Sequence, residues 1–377
     1  MTAKDFPKGP NIERVALVLQ GGGALGAYQV GVFQALAEHG FAPDWVAGTS
    51  IGAVNGAIIA GNRPKDRMAR LEEFWRGISR QGCGVNGLTP ELRQCYSFWS
   101  ALQAFTSGQP DFFTSRWPPP LIAPGDACST SFYDTSPLRS LLQHLVDFEF
   151  LNEKAAVRFS VGAVHVTSGR LRYFDNKLQP IHVEHVMASG ALPPGFPAVK
   201  VDDEPFWDGG VYSNTPLEIV LDDYPRVNTL CFMVDLFNAE GREPRTIDEV
   251  MTRYKDIQYA TRSREHIETY ARMHNLRRTV RALYKRLSEE VRNDPEVQQM
   301  AAMGCRTTME IMHLSYRDAP WELSTKDADF SWAAIEERWA LGYRDAMRAC
   351  AAAPWLEPAP PHVGVVVHEL PPATASS

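Results

Sequence analysis

Two short apolar runs near the start of the chain each end in a glycine-bearing turn that opens a helix, and few folds accept that arrangement twice in succession. Val15–Leu19 runs into Gln20-Gly21-Gly22-Gly23-Ala24-Leu25-Gly26, after which Val30, Val32, Phe33, Leu36 and Ala37 recur at near-helical spacing up to Gly40. Trp45–Ala47 runs into Gly48-Thr49-Ser50-Ile51-Gly52 and then a small-residue helix over Ala53 to Gly61. A continuous apolar run of this length marks a strand buried on both faces. Strand, helix, strand, helix with buried strands predicts an α/β fold with a mainly parallel sheet.

Further along, Arg158–Val166 and Leu171–Phe174 predict a hairpin, Val183–Ser189 a helix and Thr229–Phe237 another buried strand. Arg67–Ile78 predicts a helix, and Ser136-Pro137 opens another with proline in its first turn. Between them, residues 82–133 lose periodicity and carry Phe98, Trp99, Phe105, Phe112, Phe113 and Trp117, the composition of a binding loop or lid. Ile247 to about Met303 is helical in pattern, followed by a strand over Glu310–Tyr316 and a helix over Ala333–Ala351. After Pro354 the Pro/Ala-rich composition predicts a disordered tail.

The net charge of -7 gives no global reason to expect nucleic-acid binding. The six cysteines form no C-x-x-C pair, which argues against a zinc site and fits a reducing compartment. The N-terminus lacks a signal-peptide apolar core, and no apolar run is long enough to span a bilayer. The expectation is a cytoplasmic protein that meets lipid, if at all, peripherally. Arg253, Arg262, Arg264, Arg272, Arg277, Arg278, Arg281 and Arg286 offer an anionic membrane surface a contact. Interspersed Glu265, Glu268, Glu289 and Glu290 favour a solvated, salt-bridged helix instead. The long C-terminal helices could pack on their own core or on a second copy of the chain, as a homodimer.

Gly48-Thr49-Ser50-Ile51-Gly52 has the G-x-S-x-G form of a nucleophile elbow, in which flanking glycines permit a turn sharp enough to project the serine. Gly21, Gly23 and Gly26 also fit a dinucleotide-binding fingerprint. That reading needs an acidic residue at the end of the second strand, where Ala47-Gly48-Thr49 stands, with Asp44 before the strand. No Gly-Lys-Ser/Thr follows, which removes the phosphate-binding loop. Consecutive glycines can instead aim the amides of Gly22 and Gly23 at a carbonyl oxygen. A third segment, Trp207-Asp208-Gly209-Gly210, places an aspartate before two glycines.

Together, Gly21–Gly26, Gly48–Gly52, Asp208-Gly209-Gly210 and the loop Ala188–Pro197 resemble the patatin-like phospholipases in order and approximate spacing. The resemblance covers residues 12–235. It implies a three-layer α/β/α catalytic domain over that range, with residues 62–150 as an inserted, aromatic-rich, lid-like region. Residues 236–353 would be a mainly helical C-terminal extension like that of a bacterial subgroup, and residues 354–377 the tail. It further implies Ser50 as nucleophile, Asp208 as its direct base without histidine, and Gly21, Gly22 and Gly23 lining an oxyanion hole. The substrate would be an acyl lipid and no cofactor or metal would be needed. Leu25 stands where the family usually has Lys or Arg, which leaves a neutral ester or thioester open as substrate. Two alternatives stay open. One is an α/β-hydrolase triad using a late histidine such as His313 or His274, and the other is a non-catalytic lipid-binding protein.

Overall fold

The computed structural model describes residues 6–370 except 10, 83, 84, 86, 117–129, 154–156 and 361, and leaves the side chains of 261–264 undescribed. The strands are β1 Arg14–Leu19, β2 Trp45–Gly48, β3 Thr114–Ser115, β4 Tyr133–Asp134, β5 Arg158–His165, β6 Leu171–Asp175, β7 Val199–Val201, β8 Glu204–Asp208, β9 Thr229–Asp235, β10 Met309–Ser315 and β11 Val365–Glu369. The helices are α1 Ala27–Glu38, α2 Ile51–Ala60, α3 Arg67–Gly77, α4 Pro90–Ser107, α5 Ser136–Leu145, α6 Phe148–Leu151, α7 Val183–Ser189, α8 Glu218–Leu221, α9 Ile247–Arg286, α10 Glu289–Arg292, α11 Pro295–Ala302 and α12 Trp332–Ala352.

Nine strands form one sheet in the order β11-β10-β9-β1-β2-β5-β8-β7, with β6 paired to β5. From β11 to β5 every pairing is parallel; β6, β8 and β7 are attached antiparallel. Alternation along β1 explains the continuous apolar run. Val15, Leu17 and Leu19 enter the core shared with α1, α2 and α12. Ala16 and Val18 face a second core closed by Leu217, Val220, Leu221 and, from α9, Ile267 and Tyr270. Helices therefore cover both faces of a mixed, mostly parallel sheet, and the carboxyl ends of β1 and β2 lie side by side, with Leu19 registered on Gly48.

The C-terminal region is joined to this layer arrangement. Helix α12 crosses α1 so closely that a Cβ at Gly31 would strike the carbonyl of Trp339, and one at Gly342 the carbonyl of Tyr28. Both obstacles are helix backbone, which cannot rotate away. Gly31→Ala should cost about 2 kcal/mol by overpacking, read as a lowered denaturant midpoint with an unchanged slope. An unchanged midpoint would mean that the two helices part freely.

Two expectations need correction. Residues 82–133 contain an 18-residue helix, α4, capped by Thr89 with proline in its first turn. Its buried face is Arg93, Ser97, Ser100, Ala101 and Ala104, while Phe98, Trp99 and Phe105 point outward. The apolar residues therefore mark the wrong side, and the expected period vanishes. Of the aromatics, Phe112 and Phe113 are core residues packed on Phe196, whereas Trp117 lies outside the described residues. The second correction concerns the tail: residues 354–356 form a 3-10 turn, and β11 pairs with β10 from Met309↔Val365 to His313↔Glu369. Val365-Val366-Val367 is a strand former that the surrounding prolines obscure. Residues 371–377 lie outside the described residues.

Candidate active site

Ser50 sits between β2 and α2 with φ 55° and ψ −123°, a backbone conformation that L-residues rarely hold. Such a geometry costs about 1–3 kcal/mol and persists only where its surroundings enforce it. Here they do. The Ser50 amide donates to Ser189 Oγ at 3.1 Å, and that hydroxyl donates to the Gly162 carbonyl at 2.7 Å. A Cβ on Gly48 would meet the carbonyl of Gly52, and one on Gly52 the carbonyl of Leu19. The elbow therefore closes only with glycine at both positions. The ten-residue helix α2 begins directly after the serine, is buried along its whole length, and aims its N-terminus at the turn.

Asp208 ends β8, is 2% exposed, and accepts a hydrogen bond from the Gly210 amide at 2.7 Å. The Ser50 side chain lies close enough to the same carboxylate to bear on its titration. Burial pushes the Asp208 carboxyl up to about 7, against the opposing pull of the Gly210 amide and the Ser50 hydroxyl. Gly209 lets the chain turn tightly here, because a Cβ would lie 2.5 Å from the Gly162 carbonyl and 3.1 Å from Thr49 Cγ2. The expected serine and aspartate are thus brought together.

The glycine loop lies against them. A Cβ on Gly21 would lie 3.0 Å from that of Ser50. Gly21 donates its amide to the Asn214 carbonyl at 3.1 Å, and Asn214 Nδ2 donates to the Gly21 carbonyl at 3.0 Å. That leaves the amides of Gly22 and Gly23 without a hydrogen-bond partner among the described residues. Gly23 has φ +54°, and a side chain there would strike the Asp327 carbonyl. Gln20 fixes the loop from behind: its side-chain Oε1 accepts from the Leu236 and Phe237 amides and its Nε2 donates to Thr215 Oγ1. Gln20, Ser189 and Asn214 were not singled out from sequence. Gln20 and Ser189 are polar residues set among apolar or glycine neighbours, whereas Asn214, between Ser213 and Thr215, carries no signal of its own.

Leu25 is fully buried in the main core. The place where the family usually carries a base therefore faces inward in this chain, away from any substrate. Neither late histidine is brought to Ser50. His313 Nε2 lies 3.0 Å from Asp235 Oδ2, and the neighbouring Asp235 carboxylate raises the imidazole's pKa against the effect of burial. His274 is buried beside Arg226 and Arg277, and burial lowers its pKa. Asp44, the acid nearest a dinucleotide role, accepts from the Val15 amide at the opposite end of the sheet.

No three or more His, Cys, Asp or Glu side chains among the described residues are arranged to hold a metal ion. No described helix is long and apolar enough to cross a membrane. Of the arginines expected along α9, Arg253 donates to the carbonyls of Asn238 and Ala239, Arg278 to that of Arg306, and Arg272 pairs with Glu268.

A family profile described as patatin-like phospholipase matches residues 17–221, and a second, described as patatin phospholipase, matches residues 257–362. The chain belongs to the patatin-like phospholipase family. Mouse patatin-like phospholipase domain-containing protein 7 is 57% identical over 84 residues, covering 22% of this chain and 6% of the relative. Lysophospholipase NTE1 of Candida glabrata is 26% identical over 242 residues, covering 62% of this chain and 11% of the relative. The chain thus spans a small part of the length of these relatives. Among solved structures, VipD from Legionella pneumophila overlaps 90% of this chain and 67% of its own, at 17% identity and a TM-score of 0.40.

Proposed function

We propose that this protein is a serine lipid-acyl hydrolase that cleaves carboxylic esters of phospholipids or related acyl lipids through a Ser50–Asp208 dyad. The observation that carries the reading is the strained, half-buried Ser50 beside a buried carboxylate with a pKa near neutrality. An aspartate at its ordinary pKa of about 3.9 is a feeble base. One at about 7 is matched to proton transfer at neutral pH.

In the first half-reaction Ser50 Oγ attacks the ester carbonyl while its proton passes to Asp208. The carbonyl π pair moves onto oxygen, where the amides of Gly22 and Gly23 and the N-terminus of α2 stabilise it. Collapse breaks the bond to the alcohol, which leaves with the proton from Asp208. Water then attacks the acyl-Ser50 ester, giving its proton to Asp208, and collapse returns that proton to Ser50 and frees the fatty acid. Every step is a proton or acyl transfer, so the chain's own groups balance it. Leu25 does not argue for a neutral lipid over a phospholipid, because its side chain lies in the core.

The exposed apolar residues Leu192, Val211 and Tyr212 flank the dyad. Asp208 donates its amide to the Ala191 carbonyl, next to Leu192, and Val211 and Tyr212 follow it in the chain. They favour peripheral contact of this mouth with a lipid surface. The testing experiment is reaction with a fluorophosphonate together with release of p-nitrophenol from acyl esters of graded chain length. Stoichiometric labelling of Ser50 with turnover is expected. A folded protein that neither labels nor turns over any acyl ester would point to the non-catalytic alternative.

A further inference from the structure

Helix α9 belongs to the region beyond the shared motifs, yet it is fastened to both sides of the glycine loop. At one point Lys255 Nζ donates to Asp327 at 2.7 and 3.0 Å, and the backbone of Asp327 is what Gly23 must clear. One turn further on, the Tyr259 carbonyl accepts from Gln20 Nε2 at 3.2 Å. The Tyr259 ring leans on Phe237, with centroids 4.9 Å apart and planes at 36°. Phe237 in turn abuts Gly22, where a Cβ would lie 3.2 Å from its ring edge. Tyr259 therefore stands against the loop that carries the unpartnered amides of Gly22 and Gly23.

Its hydroxyl makes no hydrogen bond to any described residue, although the ring is half-buried. Burial first, and then the nearby Asp208 carboxylate, pushes the phenol up to about 12. The group is thus a neutral donor at every working pH, close enough to the dyad to feel its charge. An acyl chain offers it nothing to bind. The only acceptor on the acyl side is the carbonyl oxygen, which the amides of Gly22 and Gly23 serve. The hydroxyl reaches solvent in the free protein, so a bound lipid can meet it, and the acceptor left for it is on the alcohol side of the ester.

We infer that Tyr259 is a specificity-determining residue whose hydroxyl donates to the head-group portion of the bound lipid, a glycerol or phosphate oxygen beyond the scissile ester. The inference rests on the dyad reading above. It concerns a residue from the C-terminal region that none of the catalytic motifs contains.

The experiment compares the full-length wild type with Tyr259→Phe on two substrates: a 1-acyl lysophospholipid, and p-nitrophenyl butyrate, which has no glycerol or phosphate. The expected result is a loss of about tenfold in kcat/KM on the lysophospholipid, the scale of one hydrogen bond, with p-nitrophenyl butyrate within about twofold of wild type. Tyr259→Leu, which also removes the ring, should lower both. Equal behaviour of Tyr259→Phe and wild type on the two substrates, or an equal loss on both, overturns the inference while leaving the dyad standing. A wild type that hydrolyses neither substrate removes the dyad reading, and the inference with it.

Discussion

Replacing Ser50 with alanine is expected to lower kcat/KM for p-nitrophenyl butyrate by about 10⁴-fold or more, and Asp208→Asn by a comparable factor. The two losses should not add. Nucleophile and base act as one unit, so once either is gone the other has little left to contribute. The double variant should retain the same residual rate as each single one, supplied by Gly22, Gly23 and the helix terminus. Both substitutions are nearly isosteric, and thermal unfolding verifies that the fold is kept. If Ser50→Ala retained activity, the nucleophile would have to be sought elsewhere. If Asp208→Asn retained it while Ser50→Ala did not, a histidine triad would return to consideration.

The second large effect is on pH. Asp208 must be ionised to accept the serine proton, and burial holds its carboxyl near 7. The value of kcat/KM should therefore rise about tenfold per pH unit below that point and level off above it. Stability should run the opposite way. The unfolded carboxyl releases its proton near 3.8 and the folded one near 7. Between those values the folded chain holds the extra proton, so this group's stabilising contribution falls as pH rises through the window and stays constant above it. Its full extent is on the order of 4 kcal/mol. Asp208→Asn carries no charge to bury. It should unfold at higher temperature than wild type at pH 8, with the difference shrinking toward pH 4. A difference independent of pH would mean that Asp208 ionises normally in the folded chain.

Much of this site was legible in the sequence because glycine is a backbone signal. Gly48 and Gly52 have carbonyls in the space a side chain would take, so their spacing reports the elbow directly. The same holds for the apolar runs of β1 and β9, buried on both faces. What sequence reading lost were places where partners come from far along the chain. Helix α4 hides its polar side: Ser97 Oγ donates to Asp329 Oδ2 at 2.7 Å, 232 residues away, and nothing local announces that pairing. Strand β11 exists because β10 offers it an edge, and a valine triplet among prolines does not convey that. Gln20, Ser189 and Asn214 are ordinary polar residues until the loops they tie are seen together.

The position of β10 and β11 limits how this chain can be shortened. The first of the two matched family regions, which holds every catalytic motif, ends at residue 221, before β9, and a cut soon after residue 235 would look natural from motifs alone. Strand β9 is buried along its whole length, and its outer neighbour is β10. Such a cut would remove that neighbour together with α9 and α12, which cover the sheet on opposite faces. It would leave a bare, greasy strand with open amides and carbonyls, the template on which protein chains stack into aggregates. A fragment bearing every catalytic motif would then lose its solubility before it could show any chemistry.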